Sequence, residues 1–305
     1  MEFAAPLVRW VLYTGTTLSI GRGVLTFLDR DADDTANSSR TVRSALWMGA
    51  IALIVAPLAL LALQQQALEL PTADIPALLR DTTWGRGWTQ LAIPSALTAV
   101  LLPWRPSRTM SVLLLIAALG VAAAMGGLGH AAADDQWPLA SRLFDAMHVA
   151  GVGAWIGGLL LLVLASVGDS TPTVSAWRAF SRTATVMGPV VLLSGVGSTW
   201  RRVGASGPAA ILASDYGKLL LLKIALALAV MAMGFTQRRR IAVGQTPSRT
   251  VVLREVVLAA VVLAATAWMT GTEPPGADSS WTLKPSGFDC PLRSRWASLS
   301  VHCFV

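Results

Sequence analysis

The sequence predicts an all-α polytopic membrane protein, a bundle of about eight transmembrane helices. The 305-residue chain is 54% hydrophobic and only 13% charged, whereas soluble domains carry about a quarter charged residues. Its apolar residues also fall in long segments, near the length of about 20 residues that an α-helix needs to cross a bilayer. Composition and segment length together therefore predict a membrane protein.

Turn-forming residues, such as Pro103 and Pro106, separate the apolar segments. The third segment is the weakest, because it is short and Pro94 interrupts it. We expect the first segment to be retained, since Glu2 and Arg9 do not fit the basic start and unbroken apolar run of a cleaved signal peptide. The eight predicted helices span residues 6–28, 45–64, 87–104, 110–130, 143–167, 183–200, 216–235 and 252–270.

Three parts are predicted along the chain: N-terminal transmembrane helices one to three in residues 1–109, a transmembrane core of helices four to eight in residues 110–275, and a C-terminal tail in residues 276–305. With the N-terminus outside, arginines concentrate in the inner loops, as in Arg238-Arg239-Arg240. This asymmetry predicts that both termini, and hence the tail, are extracytoplasmic. The same distribution of arginines explains the net charge of +7 by membrane topology. We therefore expect no nucleic acid as a partner.

Both cysteines, Cys290 and Cys303, fall in the tail, which this topology puts in the oxidising compartment. A disulfide between them, a metal site completed by His302, and no specific role are all open interpretations.

Two of the three histidines lie on either side of one short loop, at the ends of predicted helices four and five. His148 follows Asp145 by three residues, so the two share a helix face near the outer surface. His130 reaches the same interface from the preceding helix. Imidazole binds copper, zinc, iron and nickel, and a carboxylate one turn away either orients the ring or binds the metal itself. The alternative for each histidine is an interfacial side chain that hydrogen-bonds to a backbone carbonyl.

Three further residues are predicted to support this site. Trp155 lies seven residues after His148, two turns deeper on the same face. Tyr216 and Lys223 share a face of helix seven, and Lys223 lies about two turns into the apolar segment. A buried ammonium needs a carboxylate or a wet cavity, and Asp145 is the candidate at similar depth. The alternative is an ordinary structural ion pair.

Helix six places Met187, Ser194 and Ser198 on one face. Two interpretations are open, a polar track across the membrane and hydrogen bonds between helices.

Several motifs of membrane enzymes and pumps are missing from the sequence. It contains no Gly-rich phosphate-binding loop with a following Lys-Ser/Thr, no HExxH and no CxxC. These absences argue against an ATP-driven pump, a metalloprotease and a thiol-exchange enzyme, so we expect no enzymatic activity.

Taken in order, these motifs resemble the CopD family of copper-resistance membrane proteins. The resemblance covers roughly residues 110–275, the predicted transmembrane core, while the first half is similar only in its spacing of helices. The motifs that carry it are Gly129-His130-Ala131, Asp145-Ala146-Met147-His148, Ala154-Trp155-Ile156-Gly157-Gly158, Phe180-Ser181, Tyr216-Gly217-Lys218 with Lys223, and Thr270-Gly271-Thr272-Glu273-Pro274-Pro275.

The resemblance implies a multi-pass protein of the bacterial plasma (inner) membrane that carries copper from the periplasm to the cytoplasm. It implies that His130, Asp145 and His148 handle the metal and that Lys223 supports them structurally. Such proteins often work beside, or fused to, a small periplasmic copper-binding protein of the CopC type. The sequence contains no such domain, so this partner would be a separate chain.

We therefore expect a copper-handling protein that takes up copper ions across the plasma membrane, in copper homeostasis or resistance. The oxidation state of the copper stays open. Two alternatives belong to other functional classes. His130 and His148 would be the axial ligands of a haem in an electron carrier, or the protein would bind metal as a sensor or scaffold without transporting it.

Overall fold

A computed structural model describes residues 3–28, 39–104, 107–126, 138–168, 172–203, 208–245, 247–270 and 272. The described residues are almost entirely helical, and they contain no β-strand. The α-helices are α1 (Ala4–Leu28), α2 (Arg40–Ala67), α3 (Ile75–Asp81), α4 (Thr83–Leu101), α5 (Arg108–Met125), α6 (Pro138–Val152), α7 (Gly158–Val167), α8 (Val174–Val203), α9 (Pro208–Ala213), α10 (Asp215–Ala242) and α11 (Arg249–Met269). A π-helical turn, Gly153–Gly157, joins α6 to α7.

Each of the eight predicted segments overlaps a helix of the described residues, so the all-helical fold class is confirmed. Within the described residues, six helical segments are long and apolar enough to cross a membrane. They are Arg40–Ala67, Arg108–Met125, Leu139–Val167, Val174–Arg201, Asp215–Ala242 and Thr250–Met269. The protein is thus a multi-pass membrane protein, and α1 and α4 complete the eight predicted segments.

Helix α1 carries hydroxyl groups at its centre, where neighbouring helices, instead of lipid, surround it. Thr16 and Ser19 in the middle of α1 are fully buried, and each hydroxyl donates to the carbonyl one turn earlier in the helix, of Leu12 and Gly15 respectively. A hydroxyl bonded in this way adds no unsatisfied group to the interior. Helix α1 packs against α2, α5, α11 and the π-helical turn, so it lies at the centre of the bundle.

Glycines bring α1 into backbone contact with the π-helical turn. A Cβ atom on Gly157 would lie 1.9 Å from the Thr17 carbonyl oxygen, and one on Gly21 would lie 2.2 Å from the Gly157 carbonyl carbon. No side chain fits at either position, so these glycines allow the two backbones to pack directly against each other.

The helix starts follow from local capping chemistry. Ser39, Thr82, Ser107 and Ser214 are the N-caps of α2, α4, α5 and α10, and each hydroxyl accepts a backbone N–H of the first turn. This interaction satisfies a donor that has no partner inside the helix. Two neighbour relations then position the site described below: α6 packs against α8, and α10 packs against α11.

Candidate functional site

Helices α6 and α8 face each other through a series of polar contacts, which we call the polar ladder. Asp145 accepts a hydrogen bond of 2.8 Å from the Ser198 hydroxyl, and Arg201 Nε donates to Ser141 Oγ at 2.6 Å. His148 lies one turn further along α6, against Ser194 of α8. Residue numbers rise along α6 as they fall along α8, so the two helices are antiparallel.

Glycines on α8 make room for the larger side chains of α6. A Cβ atom on Gly195 would lie 3.1 Å from His148 Cε1, and one on Gly197 would lie 2.8 Å from Cε1 of the Phe144 ring. Both distances are shorter than ordinary van der Waals contact. The run Ser194-Gly195-Val196-Gly197-Ser198 therefore alternates hydroxyls that bond to α6 with glycines that admit its rings.

The hydrogen bonds of His148 Nδ1 indicate the tautomer of its ring. His148 Nδ1 lies 3.0 Å from the Val191 carbonyl oxygen and 3.3 Å from Ser194 Oγ. Because a carbonyl can only accept, the neutral ring carries its proton on Nδ1. The lone pair then resides on Nε2, the nitrogen that binds a metal in this tautomer. The carbonyl contact and a metal-binding role, first considered as alternatives for this histidine, are thus compatible.

Ser194 and Ser198 settle the open question about the polar face of predicted helix six. Both contact α6, at His148 and Asp145, and they therefore link helices. Met187, the third residue of that face, packs against the hydrophobic core.

The remaining predicted site residues are distributed more widely. His130 lies outside the described residues, as do Cys290, His302 and Cys303 of the tail. Within the described part of the chain, no three His, Cys, Asp or Glu side chains cluster as metal ligands. His148 and Asp145 are thus the two predicted ligands that the structure brings onto one described surface.

The predicted supporting residues lie on separate elements. Tyr216 is buried near the start of α10, where it packs with Leu220 and Met269. Lys223 is half-buried two turns further along α10. The pair between Lys223 and Asp145 stays a prediction; the hydrogen bond described for the Asp145 carboxylate comes from Ser198.

Trp155 is buried in the π-helical turn and lines a cavity of about 180 Å³ between the π-helical turn, α7, α8, α10 and α11. The cavity walls include the aromatic rings of Trp177, Phe180 and Phe235 and the thioether of Met231. On α8 the walls extend to Pro189, two residues before the Val191 carbonyl that bonds His148. The cavity therefore begins directly below the polar ladder, that is, on the side toward the N-terminus of α8.

Glu255 of α11 also lines this cavity, and sequence reasoning missed it. The residue is 3% exposed, and its Oε1 has no hydrogen-bond partner. The signal that could have found it is a lone acidic residue inside an apolar segment, since such residues are expensive in a membrane and commonly functional.

Two family models match the sequence. One, described as Copper resistance protein D, matches residues 174–269. The other, described as Copper resistance protein D-like, N-terminal domain, matches residues 1–141. Together they take in most of the chain, including the first half, where the sequence resembled the family only in helix spacing. No curated protein and no solved structure matches the chain.

Proposed function

We infer the function from one premise: this chain belongs to the copper resistance protein D family, over residues 1–141 and 174–269. It is a multi-pass membrane protein of a family associated with copper resistance. We propose that it captures a copper ion at one end of the α6–α8 pair and carries it across the plasma membrane.

The observation that carries this proposal is the contact between His148 Nδ1 and the Val191 carbonyl, at 3.0 Å. A metal-binding histidine commonly donates its other ring N–H to a carbonyl or carboxylate, which fixes the ring and raises the basicity of the binding nitrogen. Imidazole is a suitable ligand for copper. His148 thus has the second hydrogen bond that a metal ligand needs.

Asp145 is the second proposed ligand, one turn from His148. The Ser198 hydroxyl holds one carboxylate oxygen at 2.8 Å, so the carboxylate is oriented before any metal arrives. We propose His130 as the third ligand, on the basis of its sequence motif and its place at the end of predicted helix four. A site of two imidazoles and one carboxylate would bind copper, which is here the transported substrate.

The proposed orientation places this site outside the cytoplasm, with the cavity on the cytoplasmic side of it. Arginines concentrate at the cavity end of the bundle, where Arg239 and Arg240 close α10, and such residues favour the cytoplasmic face. Copper would enter at His148, delivered by a separate periplasmic protein of the CopC type, and leave through the cavity.

The chain supplies its own matched control for testing the histidines. His148→Ala should lower copper binding to the purified protein at least about tenfold and abolish copper-dependent uptake or tolerance in cells. Asp215→Ala, at an exposed carboxylate that pairs with Lys218, should change neither quantity. Quantifying both variants in membrane fractions separates loss of binding from loss of protein.

Three results would contradict the proposal in different ways. Unchanged cellular copper in the His148→Ala strain would rule out capture at this residue. A protein that binds copper but moves none into proteoliposomes would be a sensor or scaffold. A Soret band in the absorbance spectrum of the purified protein would instead indicate haem ligation.

A further inference from the structure

The cavity below the polar ladder contains a carboxylate without a compensating partner. Glu255 is 3% exposed and its Oε1 accepts no hydrogen bond. The polar residues around it are Ser181 and Thr185 of α8 and Gln237 of α10. The Gln237 side-chain oxygen is already used, because it accepts the backbone N–H of Ser248 at 3.2 Å.

One other charged or titratable group lines the cavity among the described residues, Arg238 of α10. Its side chain is exposed, and no ion pair joins it to Glu255. The lining residues of α7, α8 and the π-helical turn contribute no titratable group. Helix α1 also packs against α11, and its titratable residues, Arg9, Tyr13 and Arg22, do not line the cavity.

An ionised carboxylate in these surroundings is unfavourable, because burial removes its water and no hydrogen bond replaces it. A cation must neutralise it. Copper binds best to thiolate, thioether and imidazole groups, and the cavity offers the thioether of Met231 but no cysteine or histidine. A single carboxylate is therefore a poor resting site for copper, whereas it is a sufficient site for a proton.

The cavity also provides a route by which a proton reaches Glu255. Its walls include the exposed Arg238 near the C-terminal end of α10, so the cavity extends to the end of the bundle where charged residues lie. A cavity of about 180 Å³ has room for several water molecules, and polar residues of its largely apolar wall, Ser181, Gln237, Arg238 and Glu255, give them partners.

We propose that Glu255 is a proton-binding site that couples copper movement to proton movement, an inference that rests on the proposed function. With no copper in the cavity, Glu255 carries its proton. A copper ion that arrives from His148 replaces this proton as the transient counter-ion of the carboxylate, and the proton leaves toward the His148 end of the bundle, along the path by which copper entered. After copper has left on the cavity side, the carboxylate takes up a proton from water in the cavity. In each cycle one proton therefore moves out as one copper ion moves in.

The test uses the full-length protein in proteoliposomes with a pH-sensitive dye trapped in the lumen. Copper(I) with ascorbate, and copper(II) in a parallel series, are added outside. Entry of copper should make the lumen more alkaline, and an acidic lumen should accelerate entry. Glu255→Gln keeps the size of the side chain but holds no exchangeable proton, so both effects should be lost, whereas Glu255→Asp should retain them.

The matched control is Asp215→Asn, which removes a carboxylate that is exposed and paired with Lys218. This variant should behave as the wild type. Copper entry without any change of lumen pH in the wild type would overturn the coupling and leave the proposed function intact, as would lumen alkalinisation that persists in Glu255→Gln. A wild-type protein that moves no copper would contradict the proposed function and the inference together.

Discussion

The polar ladder and the cavity each contain one carboxylate of the proposed copper path. The hydrogen-bonding environments of these two carboxylates are opposite. Asp145 is held across the α6–α8 interface by the Ser198 hydroxyl, while Glu255 has an oxygen that accepts no hydrogen bond and faces open space. A hydrogen-bonded carboxylate keeps its orientation, which suits the capture of a cation. A buried carboxylate without a hydrogen bond is stabilised by any cation that reaches it, which suits the exchange of one cation for another.

The two regions follow one another along α8. The cavity wall extends on this helix from Trp177 to Pro189, a rise of about 18 Å, and Val191, which contacts His148, comes two residues later. One helix thus carries both the hydroxyls of the ladder and an aromatic wall of the cavity. Substitutions on either side of this division should affect different properties.

The largest effect should come from closing the space that His148 occupies. Gly195→Leu would force the imidazole away from the Val191 carbonyl, since even a Cβ atom would lie 3.1 Å from its Cε1. We expect a loss of about 3 kcal/mol in the free energy of unfolding, at the upper end for overpacked sites. Copper binding should fall with it, and both are measured on purified protein in detergent.

The control for this substitution is a glycine in the cavity region. A Cβ atom on Gly234 would meet nothing within 4 Å, although this residue also lines the cavity. Gly234→Leu should leave copper binding at His148 unchanged. Equal losses of copper binding in the two variants would contradict the view that substitutions in the ladder and in the cavity affect different properties.

An intermediate effect is expected from replacing each carboxylate by an apolar side chain of similar size. Glu255→Leu should raise the free energy of unfolding by about 2 kcal/mol, because it removes a buried polar group that has an unsatisfied oxygen. Asp145→Leu should lower it by a similar amount of about 2 kcal/mol, because it leaves the hydroxyl of Ser198 without its acceptor. Thermal unfolding in detergent measures both, and a loss of stability in Glu255→Leu would show that the carboxylate has a stabilising partner.

The smallest effect should come from removing one hydroxyl of the ladder. Ser198→Ala takes one hydrogen bond from the Asp145 carboxylate, and we expect about 1 kcal/mol of lost stability with a decrease of about tenfold in copper affinity. Ser166→Ala is a suitable control, because its hydroxyl donates within its own helix to Leu162. Equal copper affinity in the two variants would remove Asp145 from the proposed site.

Much of this architecture follows from local sequence. The eight helical segments could be predicted because the thickness of a bilayer fixes the length of an apolar helix. The shared face of Asp145 and His148 could be predicted because residues three apart are neighbours on a helix. The partners of these two residues could not be predicted with the same certainty, since the lateral packing of α6 on α8 decides them.

Glu255 is a second residue whose environment could not be predicted from the sequence. The sequence by itself determined that a single carboxylate lies among the apolar residues of α11. Only the tertiary structure decided that this carboxylate faces a cavity without a partner, because that depends on where α8 and α10 place their side chains around it. In the same way, the sequence determined which residues could bind copper, and packing decided that Val191 fixes the ring of His148. Periodicity is a local property of the chain, whereas burial and hydrogen bonding between helices depend on segments that are distant in sequence.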